Sequence, residues 1–148
     1  MVLMKKTDIF IDTNVLVFAS IPTSPLYQLA LSKLKTIKQD GRIAWISRQV
    51  IREYLVQITR PGILNEPWPA KAMRQVESLS KRFQIADETT EVTQELLNLL
   101  SSGIARGKQI HDAAIVATCL SHGVSTLLTH NVSDFQRYRS YLKIEGLT

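Results

Sequence analysis

One cysteine, Cys119, is all the thiol that 148 residues carry, so an internal disulfide is excluded. It stands in an apolar segment and reads as a buried small hydrophobe, in keeping with a reducing cytoplasm. No apolar run reaches the length of a membrane span. Lys5 and Lys6 ahead of Ile9-Phe10-Ile11 look like the start of an export signal. Asp8, Asp12 and Asn14, however, interrupt the apolar stretch such a signal needs. The expectation is a soluble cytoplasmic protein with no membrane contact. There is no internal repeat, no low-complexity tract, no linker and no G-x-S-x-G elbow to present a nucleophilic serine. Three histidines and one cysteine do not make the convergent set that zinc requires.

Acids are the scarcer charge, 13 against 18 lysines and arginines, for a net +5 and a pI near 9.5. That surplus favours nucleic acid or an anionic surface as partner. Apolar residues at 45% and charged residues at 21% are ordinary for a globular chain. One domain over residues 1–148 has room for a real core.

Short apolar runs alternate with helical stretches. Ile9-Phe10-Ile11 reads as a strand, apolar without alternation, as in a parallel sheet covered on both faces. A helix follows, interrupted near Pro22 and Pro25, and resumes to about Asp40-Gly41. Further strands are expected at 43–46, 83–86, 125–129 and 142–144. Ser47 suits the N-cap of a helix to about Thr59, which Arg60-Pro61-Gly62 stops. Pro69 suits the first position of a helix to about Arg82, and other helices are expected at 90–100 and 110–122, the last ended by Gly123. Such alternation predicts an α/β sandwich with a mainly parallel sheet. Ligands of these sheets bind beyond the carboxyl ends of the strands.

Four acids stand where apolar runs end: Asp12 in DIFIDTNVLVF, Glu53 in ISRQVIREYL, Asp112 in QIHDAAIVAT and Asp134 in LLTHNVSDF. Each also has a plain structural reading. Asp12 is a good N-cap for the helix after it. Glu53 lies roughly 130° from the centre of a stripe formed by Val50, Ile51, Tyr54, Leu55 and Ile58, which predicts an exposed side chain. Asp112 opens a helix that is apolar nearly all round, where it is either a cap or a positioned ligand. Ser133 or Asp134 could cap a short helix, and Thr129 and Asn131 could form a turn. As a set, the acids point to a cation, because carboxylates gathered closely cannot all stay ionised without one. Hard oxygen ligands select Mg²⁺ or Mn²⁺, which can activate a water against phosphorus without a nucleophilic side chain.

This ordered set resembles the PIN-domain family over nearly the whole chain, and most closely its small VapC-type toxins of toxin–antitoxin pairs. The resemblance implies a three-layer α/β/α sandwich with a mainly parallel sheet. It also implies an Mg²⁺- or Mn²⁺-dependent endoribonuclease with an RNA substrate, a cognate antitoxin partner and a homodimer. By the same resemblance Asp12, Glu53 and Asp112 are the core acids and Asp134 the fourth, with Asn131 as its polar competitor. Thr13, Asn14 and Thr129 orient ligands or water. Arg106, Lys108 and Arg52 are candidate phosphate contacts, though any one of these cations reads more readily as solvated surface. Tyr27, Leu29, Ala30, Leu31 and Leu34 read as core or as a partner surface. A non-catalytic RNA- or partner-binding PIN domain and a housekeeping RNA-processing nuclease are the alternatives. A haloacid-dehalogenase-like phosphatase would need an acid where Asn14 stands.

Overall fold

The computed structural model describes residues 8–65 and 67–148; Lys5 and Lys6 lie outside them. Five strands form the sheet: β1 (Asp8–Ile11), β2 (Ile43–Ser47), β3 (Gln84–Ala86), β4 (Thr126–Leu128) and β5 (Lys143–Glu145). Their order is β3-β2-β1-β4-β5, and every neighbouring pair is parallel. β1 and β4 are buried along their whole length, which is why they are apolar without alternation.

The helices are α1 (Thr13–Ser20), α2 (Tyr27–Gln39), α3 (Arg48–Ile58), α4 (Trp68–Arg82), α5 (Thr90–Leu100), α6 (Gln109–His122) and α7 (Val132–Phe135). From β1 to β3 the chain steps across the sheet one way, and from β3 through β4 to β5 it steps back. Right-handed crossovers therefore put α1–α4 on one face and α5–α6 on the other. Contacts agree: α1 packs on α2 and α3, and α5 packs on α6. The result is the expected three-layer α/β/α sandwich.

Local signals acted as their chemistry requires. The Ser47 hydroxyl accepts the Val50 N–H at 3.2 Å and starts α3. Gly123 ends α6 at φ 70°, where its N–H meets the Cys119 and Leu120 carbonyls. Several expectations shift. The break between α1 and α2 is complete over residues 21–26, because Pro22 and Pro25 have no N–H to give. Trp68, not Pro69, opens α4; either position lacks an intrahelical acceptor for its N–H. β5 starts one residue late, since Leu142 still bonds back to Tyr138. Neither Ser133 nor Asp134 caps α7; Asn131 holds that position, without a side-chain bond. Ala30 is buried and Leu29 and Leu34 pack on the core.

Replacing Gly123 by alanine forces a β-carbon into the left-handed region. We expect a loss of about 1 kcal/mol in urea unfolding with an unchanged m-value. An unchanged midpoint would show that the turn relaxes freely.

Candidate active site

The chain reverses its direction across the sheet between β1 and β4, and there the two strand ends open a crevice. Asp12 is the first residue past β1. Its N–H continues the ladder to the Leu128 carbonyl at 2.9 Å. Its side chain caps α1 by accepting the Thr13 N–H at 2.8 Å through Oδ1. Oδ2 accepts the Thr129 hydroxyl at 2.7 Å and the Asn14 amide at 3.4 Å. The capping and site readings of Asp12 thus hold together. Thr129 follows β4, so its bond to Asp12 ties the two strand ends.

Glu53 comes from α3 and accepts the Thr13 hydroxyl at 3.1 Å. It is half-buried, not exposed as its periodicity suggested. The fully buried stripe of α3 is Val50, Tyr54 and Ile58, centred on Tyr54, and Glu53 lies about 100° from it, on the flank. Ile51 and Leu55, which had pulled the expected centre away, are only partly buried. Gln49 donates to the His111 carbonyl at 3.0 Å and joins the starts of α3 and α6. Asp112 lies in the first turn of α6, half-buried, and makes no cap.

Asp12, Glu53 and Asp112 line one cleft of about 420 Å³, together with Thr13, Asn14 and Asn131. Val17, Phe18, Val56, Gln57 and Ile115 complete it. Sequence reading missed these, although helical spacing pointed to them: Gln57 is four residues beyond Glu53, Phe18 four beyond Asn14, and Ile115 three beyond Asp112. Phe18 meets the His130 ring edge-on at 5.2 Å, and the His130 N–H donates to Asn14 Oδ1 at 3.1 Å. Asp134 is exposed and lines a separate cavity of about 220 Å³ with Lys108, Gln109, Asp112, Arg137 and Tyr138. Of the two contenders for the fourth place, Asn131 thus shares the cleft and Asp134 faces Asp112 from the side. Among the candidate phosphate contacts, Lys108 lines the second cavity. Arg52 pairs with Glu88 at 2.9 Å in solvent, and Arg106 is exposed outside both cavities.

Burial pushes the Asp12 carboxyl up to about 6; the Thr129 and Thr13 bonds oppose the rise, while Asp112 and Glu53 add to it. Asp112 is also raised, first by burial and then by Asp134 and Glu53, against Arg137 and His111. Cys119 is buried and its thiol pushed far up, so it is no nucleophile. Among the described residues no three acidic, histidine or cysteine side chains converge on one point. Glu53 and Asp12 are each held by a threonine hydroxyl, Thr13 and Thr129 respectively. The donor set is nevertheless all hard oxygen, and a cation would offset the charge that burial and crowding penalise at Asp12. The residues fit a divalent ion.

The Asp12 shift fixes a pH window. Well below 3.8 the carboxyl is protonated in both folded and unfolded chains and costs nothing. Between its ordinary value of 3.8 and about 6 the folded chain keeps the proton that the unfolded chain releases. Stability therefore falls through this window, by about 3 kcal/mol in full. Asp12→Asn should gain more stability over wild type at pH 7.5 than at pH 4, measured by urea unfolding in EDTA. Equal gains at both pH values would mean that Asp12 is not penalised.

A family model described as PIN domain matches residues 9–140. Ribonuclease VapC48 of Mycobacterium tuberculosis is 24% identical over 139 residues, covering 92% of this chain and 91% of that protein. DNA-bound VapBC from Salmonella typhimurium superposes with a TM-score of 0.66 at 18% identity, over 99% of this chain and 100% of that one. The sarcin–ricin-loop-cleaving toxin VapC20 of M. tuberculosis gives a TM-score of 0.62 at 15% identity, over 80% and 86%. The fold accords with these likenesses, and the family model spans most of the sequence: the chain belongs to the PIN domain family.

Proposed function

We propose that this protein is a divalent-metal-dependent endoribonuclease and the toxin of a type II toxin–antitoxin pair. The carrying observation is that Asp12, Glu53 and Asp112, scattered in sequence, line one cleft at the carboxyl edge of the sheet. The net charge of +5 suits a polyanion. VapC48 is a ribonuclease by name and VapC20 cleaves the sarcin–ricin loop, which supports RNA as substrate. Several similar structures are VapBC toxin–antitoxin complexes, which supports an antitoxin partner. The resemblance to VapC-type toxins supports a homodimer. A single buried thiol accords with a cytoplasmic setting. No helix among the described residues is long and apolar enough to cross a membrane.

Asp12, Glu53 and Asp112 would hold Mg²⁺ or Mn²⁺, with Asn131 in reach of the same cleft and Asp134 beside Asp112. Such an ion supplies an activated water and stabilises charge on the phosphoryl oxygens. The chain's own groups do the positioning. Thr129 fixes Asp12 Oδ2 through its hydroxyl, itself held by the Asn131 N–H as donor at 3.0 Å. Thr13 fixes Glu53 Oε1. Asn14 bridges the Asp12 carboxylate and the Thr129 hydroxyl. Burial and the carboxylates of Asp134 and Glu53 disfavour charge on Asp112, a penalty that a bound cation would offset.

EDTA and Asp12→Asn should each abolish cleavage of an RNA panel in Mg²⁺. Equal cutting by Asp12→Asn would sink the metal-nuclease reading. Thr129→Val should cost about 10- to 100-fold in metal affinity or activity, because it frees Asp12 to rotate. Growth arrest on expression, relieved by the neighbouring gene, would separate a toxin from a housekeeping nuclease.

A further inference from the structure

We propose that the cavity beside Asp112 is a subsite for a non-reacting phosphate of the RNA chain, next along from the bond that is cut. This rests on the ribonuclease reading above. Asp112 lines both this cavity and the acidic cleft, so the two spaces adjoin at this residue.

Tyr138 is the telling residue. Its side chain is 1% exposed, yet its hydroxyl has no hydrogen-bond partner among the described residues. Buried polar atoms without a partner are rare and destabilising. The Tyr138 ring packs near Phe135, with centroids 6.3 Å apart, and phenylalanine would pack there as well. The oxygen therefore contributes nothing visible to folding. Tyr138 itself lines this cavity, beside Arg137 and Asp112.

Arg137 and Lys108 supply positive charge. One guanidinium nitrogen of Arg137 donates to the Ile104 carbonyl at 3.1 Å and steadies the group, leaving the rest of a planar fork for an anion. Lys108 holds the N-cap position of α6, where the helix favours negative charge. Asp112 and Asp134 on the same wall balance these two cations. The cavity is thus poor for a free anion and poor for a free cation. It suits a phosphate delivered by a chain already held in the cleft, with the tyrosine hydroxyl as the neutral donor.

The test uses a single-stranded RNA that the wild-type protein cuts once. Each phosphate flanking the cut is replaced in turn by an uncharged methylphosphonate on a 2′-deoxy sugar, with the deoxy phosphodiester as control. Wild type, Tyr138→Phe and Lys108→Gln are assayed on each. One flanking replacement should lower wild-type kcat/KM about tenfold, through KM, and the loss should shrink below about threefold in either variant. Tyr138→Phe should melt at or above the wild-type temperature. Equal losses in all three proteins overturn the subsite. So does a lower melting temperature for Tyr138→Phe, which would give the hydroxyl to the fold. A changed Mn²⁺ affinity in Tyr138→Phe without altered phosphonate coupling also overturns it, in favour of a cation. If wild type cuts no RNA, the ribonuclease reading falls, and the same cycle read as oligonucleotide binding still decides the subsite.

Discussion

The parallel pairing of β1 with β4 is the constraint on which the site depends. It puts the end of β1 beside the end of β4, although 117 residues separate Asp12 from Thr129. The backbone bond from Asp12 to Leu128 and the side-chain bond from Thr129 to Asp12 then lock the crevice mouth. A slip of one residue in this register would turn the side chains of a strand to the opposite face. Because the crossovers on the two sides of this pair lie on opposite faces of the sheet, the two strand ends part to form the crevice. α3 and α6 bring their first turns to its two flanks, and Gln49 ties them together there.

Burial and charge are set against each other in this site. Asp12 is almost enclosed, and its neighbours Glu53 and Asp112 share its sign. Hydrogen bonds from Thr13 and Thr129 offset only part of the penalty. A chain selected for stability alone would place an amide or an apolar group here. The unpartnered Tyr138 hydroxyl lies on the other side of Asp112 and shows the same tension. Such departures from the cheapest packing concentrate where a protein binds and reacts. Far from the cleft, the sheet and helices follow ordinary rules: apolar strands, capped helices and a glycine stop.

Much of the fold was legible because its signals are local. An unbroken apolar run needs covering on both faces, a serine before a helix accepts its free N–H groups, and only glycine turns easily into the left-handed region after α6. Asp12 and Asp112 were legible for a related reason, since an acid against a buried run is conspicuous. Glu53 was not. Its exposure depended on which of Ile51, Tyr54 and Leu55 face the core, and packing chose the Tyr54 side. Arg52 lies next to Glu53 in sequence, yet a helix sends it elsewhere, to Glu88. Tyr138 gave no signal at all, because a buried tyrosine is common and only its missing partner is unusual.

By itself, then, the sequence determined the main elements and their parallel arrangement, since these follow from hydrophobic periodicity and capping chemistry, and it offered the acids as candidates. Only the tertiary structure decided which acids share a cavity. Asn131 joins Asp12, Glu53 and Asp112, while Asp134 stands in a second space across Asp112. The reason is geometric: Asn131 and Asp134 sit on one short helical turn packed against β5, and their side chains line different cavities. No spacing along the chain encodes that choice.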